Sequence, residues 1–472
     1  MKKNKAVLGD AGIYDARELG YPRMLVLGFQ HLFAMFGATV LVPAITGLNV
    51  STTLLFAGLG TLLFHLITGR KVPAFLGSSF AFLGSMAAAF AGGVSAAKGY
   101  AGMIIGAALA GLVYVVIAIV VKVAGVKWVD KLMPKQVIGP TVAIIGLSLA
   151  GAAINDLTAG KVMKEVVSQE IVDGAIVNVT SLVSSANVLL CVLCGLITFL
   201  VVTICSVYGK KTAKLIPFII GILAGYAVAA VFTVIGIKTN DTSLQIINFE
   251  AFKAITPATI FAVPKFTSFE AIKNGGFSEL DGSYVASIAM AYIPVAFVVF
   301  AEHIADHKNI SSIINKDLLD DPGLHRTLLG DGVGSMVGAF FGGCPNTTYG
   351  ESIACVAITG NASVATILTT AIMAIAISFF NPFVIFLGSI PNCVMGGVCM
   401  ALYGFIAVSG LKMIKNVDLD DNRNLFVVSS ILIAGIGGLA LTFGKITITS
   451  IATALILGII VNLILSKKGK KA

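Results

Sequence analysis

VPAFLGSSFAF (72–82) and CPNTTYGES (344–352) are the two stretches on which the reading of this chain turns. Each begins at a proline, Pro73 or Pro345, and passes through a polar, glycine-containing run before turning apolar. In the first, Val72, Phe75, Ser78, Ser79 and Phe80 surround Gly77. That composition suits a short extended piece followed by a half helix, because proline cannot continue a helix and glycine weakens one. Extended backbone at membrane depth is tolerated only where it is buried in protein or lines a cavity, since its amides need partners. Such amides can face a ligand, and a half helix starting after Phe80 or Gly350 aims the positive end of its dipole at electronegative ligand atoms. The competing reading is a pair of re-entrant loops packed for structural reasons alone.

Outward from these interruptions the chain is almost wholly apolar. Of 472 residues, 57% are hydrophobic and 12% charged, with a mean hydropathy of +0.97. Soluble domains carry about 25% charge, so a water-soluble enzyme or binding module is excluded. The 51 glycines suit lipid, where small residues let helix backbones approach. Met1 to Arg23 is polar and basic without a short apolar run and cleavage site, so the first apolar segment is expected to be retained. At about 20 residues per crossing, spans fall near 24–45, 52–67, 72–90, 100–121, 137–154, 188–207 and 216–235, then near 284–304, 328–341, 345–358, 364–380, 391–406, 425–443 and 446–465. The fold class expected is an all-α polytopic membrane protein of 14 segments, with extended pieces in segments 3 and 10.

Seven spans per half is an odd number, so the second half repeats the first upside down. Pro134-x-x-Val137-x-Gly139 and Pro391-x-x-Val394-x-Gly396 open corresponding spans in the two halves. Short loops on the terminal side carry Arg70, Lys71, Lys122, Lys131, Lys210, Lys308, Arg326, Lys412 and Arg423 among others, whereas the opposite short loops carry only Lys98 and Lys445. The positive-inside rule then puts both termini in the cytoplasm, with the protein multi-pass in the cytoplasmic membrane. The net charge of +9 is explained by topology near anionic lipid, without nucleic-acid binding. Cys191, Cys194, Cys205, Cys355 and Cys399 sit in apolar runs and read as small hydrophobes. Cys191 and Cys194 have redox or metal-ligand spacing, but no second pair or histidine cluster accompanies them; neither metal nor cofactor is expected.

Four acids lie in or beside apolar spans: Glu302, Asp306, Asp331 and Glu351. A carboxylate at the bilayer centre costs about 2.5–3.5 kcal/mol and marks function by default. Glu302 and Asp306, four apart, share one helix face as a proton-exchanging pair; alternatively Asp306, followed by His307 and Lys308, ends its helix in water. Glu351 follows Gly350 at the start of the half helix, where an acid either binds ligand or caps free amides. Asp331, in LLGDGVGS, reads as a packing or interdomain acid. His31 and His65 lie on apolar faces as satisfied structural histidines, with His31 the better candidate because Gln30 adjoins it.

With these residues in place, QHLFAMFGATVLVP (30–43), VPAFLGSSFAF (72–82), FAEHIAD (300–306), KDLLDDPGLHR (316–326) and PNTTYGES (345–352) resemble the nucleobase/ascorbate transporter family, in particular its bacterial uracil permeases, over nearly the whole chain. The resemblance implies a secondary active permease, not an enzyme, importing uracil by proton symport with an elevator-like movement. It implies a homodimer whose core domain comprises residues 1–127 and 284–382 and whose gate domain comprises 128–236 and 383–472, with an extracytoplasmic loop at 237–283. It assigns Glu302 and Glu351 to the base, main-chain contacts to Phe80 and Gly350, and pocket lining to Tyr349 and Ala34. Glu302 and Asp306 take proton coupling, with His31, Asp331 and Ser79 as candidate supporting residues. Uracil offers two N–H donors and two carbonyl acceptors, which carboxylates and backbone amides match.

Two departures keep xanthine or another purine base open as the substrate. Asp306 stands where the family's uracil permeases carry histidine, and Glu351-Ser352-Ile353-Ala354 replaces a common Glu-Asn-x-Gly, with Gly360 where a basic residue is usual. Glu351 itself points to uracil, since xanthine and urate carriers show glutamine there. An anion exchanger of related fold would want a cation in the pocket, and Arg326 alone lies between Lys316 and Lys412. Neither His-Glu-x-x-His nor Gly-x-Ser-x-Gly is present to support an intramembrane enzyme.

Overall fold

The computed structural model describes residues 12–466 except 126, 173–174, 211–212, 214–216, 349, 416 and 444–445; the side chains of some further residues, Ala34 and Glu351 among them, lie outside the described residues as well. Along the chain come α1 (Tyr21–Thr46), α2 (Val50–Ile67), β1 (Leu76–Ser78), α3 (Leu83–Ala88), α4 (Ala96–Ala124), α5 (Lys127–Leu132), α6 (Lys135–Ser148) and α7 (Ala150–Asp156). A hairpin of β2 (Met163–Val172) and β3 (Ala175–Ser184) precedes α8 (Val188–Tyr208), α9 (Pro217–Thr239) and α10 (Thr267–Lys273). Then follow α11 (Gly282–Ile314), α12 (Leu324–Phe340), β4 (Asn346–Thr348), α13 (Gly350–Thr359), α14 (Val364–Ser378), α15 (Asn381–Ser389) and α16 (Asn392–Ile414). Last are α17 (Asn422–Ile436), a short hairpin of β5 (Leu441–Phe443) and β6 (Ile446–Ile448), and α18 (Ser450–Ser466).

Polar residues at the loop ends set where the helices start. Asn49 accepts the Thr52 amide, Ser95 the Lys98 amide and Asp281 the Tyr284 amide, each at 2.9–3.1 Å, the N-cap arrangement that satisfies an otherwise unpartnered donor. Among the described residues, seven helices or helix pairs are long and apolar enough to cross a membrane: α2, α4, α6–α7, α8, α9, α11 and α16. Three more, α14, α17 and α18, are apolar but shorter.

Two compact units divide the chain. The first comprises Met1–Ser148, Ala262–Phe380 and Phe405–Ala472; the second comprises Leu149–Phe261 and Asn381–Gly404. In the first, α12 packs between α4 and α2, α14 lies on α2 and α1, α11 runs along α4, and α6, α17 and α18 form a trio. Glycine makes the α12–α4 contact possible: a Cβ on Gly332 would stand 2.8 Å from the Gly111 carbonyl oxygen, and one on Gly111 2.8 Å from that of Gly332. Backbones at that separation leave no room for a side chain at either glycine. In the second unit α8 packs along α9.

The first unit holds a two-stranded ribbon buried among its helices. β1 and β4 pair antiparallel, Leu76 opposite Thr348, Gly77 opposite Thr347 and Ser78 opposite Asn346, with all six residues buried. Both extended pieces thus occur where the prolines and glycines place them, and each leads into a helix: β1 through a turn at Phe80–Phe82 into α3, and β4 into α13.

Three features differ from the spans read along the sequence. α11 continues to Ile314, where Asn315 closes it in the left-handed region at φ 55°; Asp306 and His307 are buried within it and so do not stop it. β2 and β3 pair antiparallel over ten residue pairs, Met163 opposite Ser184 through Val172 opposite Ala175, a pattern that a search for crossing-length runs passes over. Leu441–Phe443 pairs with Ile446–Ile448 as the short β5–β6 hairpin, so α17 and α18 are shorter than the spans expected there.

Gly332→Val should lower the melting temperature of the detergent-solubilised protein, since its Cβ alone meets a backbone oxygen that cannot swing aside. Overpacking of this kind costs about 1–3 kcal/mol, and an unchanged melting curve would mean the α12–α4 seam has slack.

Candidate functional site

The ribbon is too narrow to satisfy its own edges, and side chains complete it. On the β1 side the Phe75 amide donates to Ser352 Oγ at 3.0 Å and the Leu76 amide to Thr61 Oγ1 at 3.0 Å. On the β4 side Ser335 Oγ accepts the Asn346 amide at 3.1 Å and donates to the Asn346 carbonyl, and Asp331 Oδ2 accepts the Thr348 amide at 3.3 Å. Asn346 in turn donates its side-chain amide to the Phe56 carbonyl at 3.2 Å. The strands are therefore held by hydroxyls and a carboxylate from α2, α12 and α13.

Asp331 does more than terminate a strand edge. His303 Nδ1 donates to its Oδ2 at 2.7 Å, and the Thr347 hydroxyl donates to the same oxygen at 3.1 Å. The other His303 nitrogen lies 2.9 Å from Thr327 Oγ1, and His303 also stacks on His307 with ring centroids 4.0 Å apart. His303 and Asp331 are each 1% exposed, out of reach of bulk water. This network clamps α11 to α12 and β4 one residue away from Glu302.

Glu302 is half-buried on α11 and Asp306 lies buried one turn on. α11 packs against the Phe80–Phe82 turn, β4 and α13, and a Cβ on Gly350 would come 4.0 Å from Asp306 Oδ1. The reading in which Asp306 ends its helix in water is thereby set aside. Ser79 is buried; its hydroxyl accepts the Ala81 amide at 3.3 Å and its own amide donates to the Pro345 carbonyl at 3.2 Å. Phe80 is half-buried at the head of the following turn. His31 is buried on α1, with Nε2 3.1 Å from Ser352 Oγ, which ties α1 to the first turn of α13. Tyr349 and the side chains of Ala34 and Glu351 lie outside the described residues.

Residues 22–444 match the profile of the Permease family, Xan_ur_permease. The chain belongs to that family. The permease is 39% identical to the uracil permease of Bacillus caldolyticus over 99% of this chain and 97% of that one. It is 36% identical to the uracil permease of Bacillus subtilis (strain 168), covering 98% and 96%, and 36% identical to that of Escherichia coli (strain K12), covering 93% and 90%. In fold it resembles the transmembrane domain of a cyanobacterial bicarbonate transporter, BicA, with a TM-score of 0.60 at 13% identity over 96% of this chain and 99% of that one. It also resembles the murine anion transporter Slc26a9, with a TM-score of 0.59 at 11% identity over 94% and 68%. The protein is thus a multi-pass membrane transporter and not an enzyme.

One participant escaped the sequence reading of the permease. His303 was passed over beside Glu302, although Asp331 and Ser335, four apart on α12, and the polar side chains of Asn346-Thr347-Thr348 were all visible as residues in need of partners. Asp331, read from the sequence as a packing or interdomain acid and a candidate supporting residue, joins α11, α12 and β4 through one carboxylate oxygen. A cavity of about 730 Å³ elsewhere in the first unit, bounded by Tyr14, Arg70, Lys316, Asp317 and Val364, includes none of the candidate residues.

Asp331→Ala removes at once the acceptor used by His303, Thr347 and the Thr348 amide, and breaking a buried pair costs about 3–5 kcal/mol. A sharply lower melting temperature is expected, partly restored in Asp331→Asn, which keeps one carbonyl oxygen. Equal melting of both variants and the parent would make the network a bystander.

Proposed function

We propose that this permease imports uracil across the cytoplasmic membrane by proton symport. The observation that carries the reading is the buried antiparallel ribbon, with a helix following each strand and the Glu302–Asp306 face of α11 packed beside it. Its antiparallel register is what an inverted seven-plus-seven repeat requires of two corresponding segments. In this reading α1, α12 and the two strand-plus-helix segments join the seven long and three shorter apolar helices as the fourteen membrane segments. The relatives named as uracil permeases, at 36–39% identity over more than nine-tenths of the chain, support the choice of base.

In this reading Glu302 and Glu351 accept the ring N–H groups of uracil, while backbone amides at Phe80 and Gly350 donate to its carbonyls. Tyr349 and Ala34 line the base. Glu302 and Asp306 exchange the coupled proton, and the buried His31–Ser352 and His303–Asp331 contacts keep the surrounding elements in place. Residues 1–127 and 284–382 act as a core that moves against a gate of 128–236 and 383–472, in a homodimer with both termini in the cytoplasm. The resemblance to anion transporters is one of fold alone, and the acids beside the ribbon speak against an anionic substrate. Xanthine is the second base to test, because Asp306 departs from the histidine of uracil permeases.

Calorimetry and proton-gradient-driven uptake of radiolabelled uracil in one proteoliposome preparation test the assignment. Glu351→Gln and Glu302→Gln should each weaken uracil binding by more than tenfold, because each removes a hydrogen bond and leaves a desolvated partner. Asp306→Asn should keep binding within about threefold, below 1 kcal/mol, yet lose uphill uptake. An Asp306→Asn variant that binds as poorly as Glu302→Gln would move Asp306 into base recognition, and binding of xanthine in preference to uracil would overturn the substrate.

A further inference from the structure

The cavity of about 730 Å³ in the first unit has no part in the transport reading. Its size falls in the range of small-molecule sites, about 300–1,000 Å³. Four segments of that unit enclose it: the residues before α1, the α2–β1 connection, the α11–α12 connection and the start of α14. The wall before α1 is fastened to the opposite side. The Ile13 amide donates to the Gly360 carbonyl at 2.8 Å, the Ala362 amide to the Ile13 carbonyl at 2.9 Å, and the Ala16 amide to Ser363 Oγ at 2.9 Å.

Two cations occupy matched places in this enclosure. Arg70 follows the end of α2 and Lys316 the end of α11. Each donates its backbone amide to the carbonyl five residues earlier, Arg70 to His65 at 2.8 Å and Lys316 to Ser311 at 3.1 Å. Helix C-termini favour positive charge, which by itself would explain both without a ligand. Two observations go further. The end of α2 is already served by Arg326, whose Nε donates to the Ile67 carbonyl at 2.8 Å. Arg70 also sits at φ 58° in the left-handed region, where arginine is strained and glycine is not. What an arginine adds at that position is its side chain.

The acids around the cavity leave these two cations available. Asp15 is held by Arg17 through Nε at 2.9 Å and Nη2 at 2.6 Å, Asp321 is paired with Lys71, and Asp317 accepts the Leu319 amide at 2.9 Å. Among the described residues neither Arg70 nor Lys316 has a carboxylate partner. Lys316 Nζ lies over the Tyr14 ring, 5.9 Å from its centroid. Asp320 is the remaining carboxylate of the lining, and Leu318, Val364 and Leu368 supply apolar surface.

We propose that this cavity binds a nucleoside monophosphate, with the phosphate on Arg70 and Lys316, a ribose hydroxyl on Asp320 and the base against Tyr14 and the apolar wall. A guanidinium and an ammonium together suit a phosphate. A carboxylate accepts from a sugar hydroxyl, and an aromatic face stacks on any base. Inorganic phosphate would leave the carboxylate and the apolar wall unused, and a lipid phosphate shares the first contact but brings no base.

Calorimetric titration of the detergent-solubilised full chain with uridine monophosphate and adenosine monophosphate, beside uridine and inorganic phosphate, tests the assignment. At least one monophosphate should bind, about tenfold or more tighter than uridine or phosphate alone, and uracil should not displace it. Arg70→Gly removes the guanidinium where glycine is unstrained, so binding should weaken about tenfold or more while the melting temperature holds. Lys316→Gln should weaken binding in the same direction. The proposal is overturned if neither monophosphate binds, if Arg70→Gly binds as the parent does, if uridine or phosphate alone binds as tightly, or if uracil competes. A melting temperature raised by phosphatidic acid but by neither monophosphate would make this a lipid headgroup site and equally overturn it. Arg70 and Lys316 take no part in the uracil assignment, so either reading can fail without the other.

Discussion

Backbone amides and carbonyls buried among helices must each find a partner, and the rest of the first unit is arranged around that requirement at one place. A ribbon of three residue pairs satisfies only its inner edges. Its outer edges fall to Thr61, Ser335, Asp331 and Ser352, contributed by three separate helices. Each of those helices is thereby committed to a depth and a rotation. An unmet amide in such surroundings costs several kcal/mol, more than the difference between most alternative packings of apolar helices.

Asp331 shows how this constraint reaches the acidic face of α11. Its Oδ2 atom serves a strand amide, a strand hydroxyl and His303 together, so the ribbon cannot shift without disturbing the helix that carries Glu302 and Asp306. The glycine seam between α12 and α4 supports the same atom from behind: with backbones this close, α12 has little freedom to rotate Asp331 away. Positioning by a rigid surrounding shell, rather than by the candidate ligand groups alone, is the usual condition for a selective polar site.

Much of this was legible in the amino-acid sequence, and the parts that were not share a reason. The extended pieces could be read because Pro73, Pro345 and a run of polar residues have no other use inside an apolar chain. Glu302 and Asp306 could be read because carboxylates among apolar residues are costly. The end of α11 could not, because whether Asp306, His307 and Lys308 stop a helix depends on whether they are buried, and burial is decided by distant residues. The His303–Asp331 pair was hidden for the same cause: 28 positions separate its members, and nothing within FAEHIAD or LLGDGVGS says that the two meet. The hairpin at 163–184 was missed through the question asked, since its short-period alternation carries no signal at crossing length. For Tyr349 and the side chains of Ala34 and Glu351, the assignment rests on the sequence resemblance.

The pairing of Gly77 with Thr347 at the middle of the ribbon has a consequence for how such a chain can change over generations. Successive residues of a strand point to opposite faces, so a slip of one position turns every side chain over. The ribbon is then a ruler with a single graduation. Loops elsewhere can lengthen by a residue at small cost, but an insertion between Pro73 and Phe80, or between Pro345 and Gly350, would exchange inward for outward on one strand and move one half helix out of step with the other. Insertions and deletions should therefore be absent from these two short windows in any working descendant, even where individual side chains within them are free to vary.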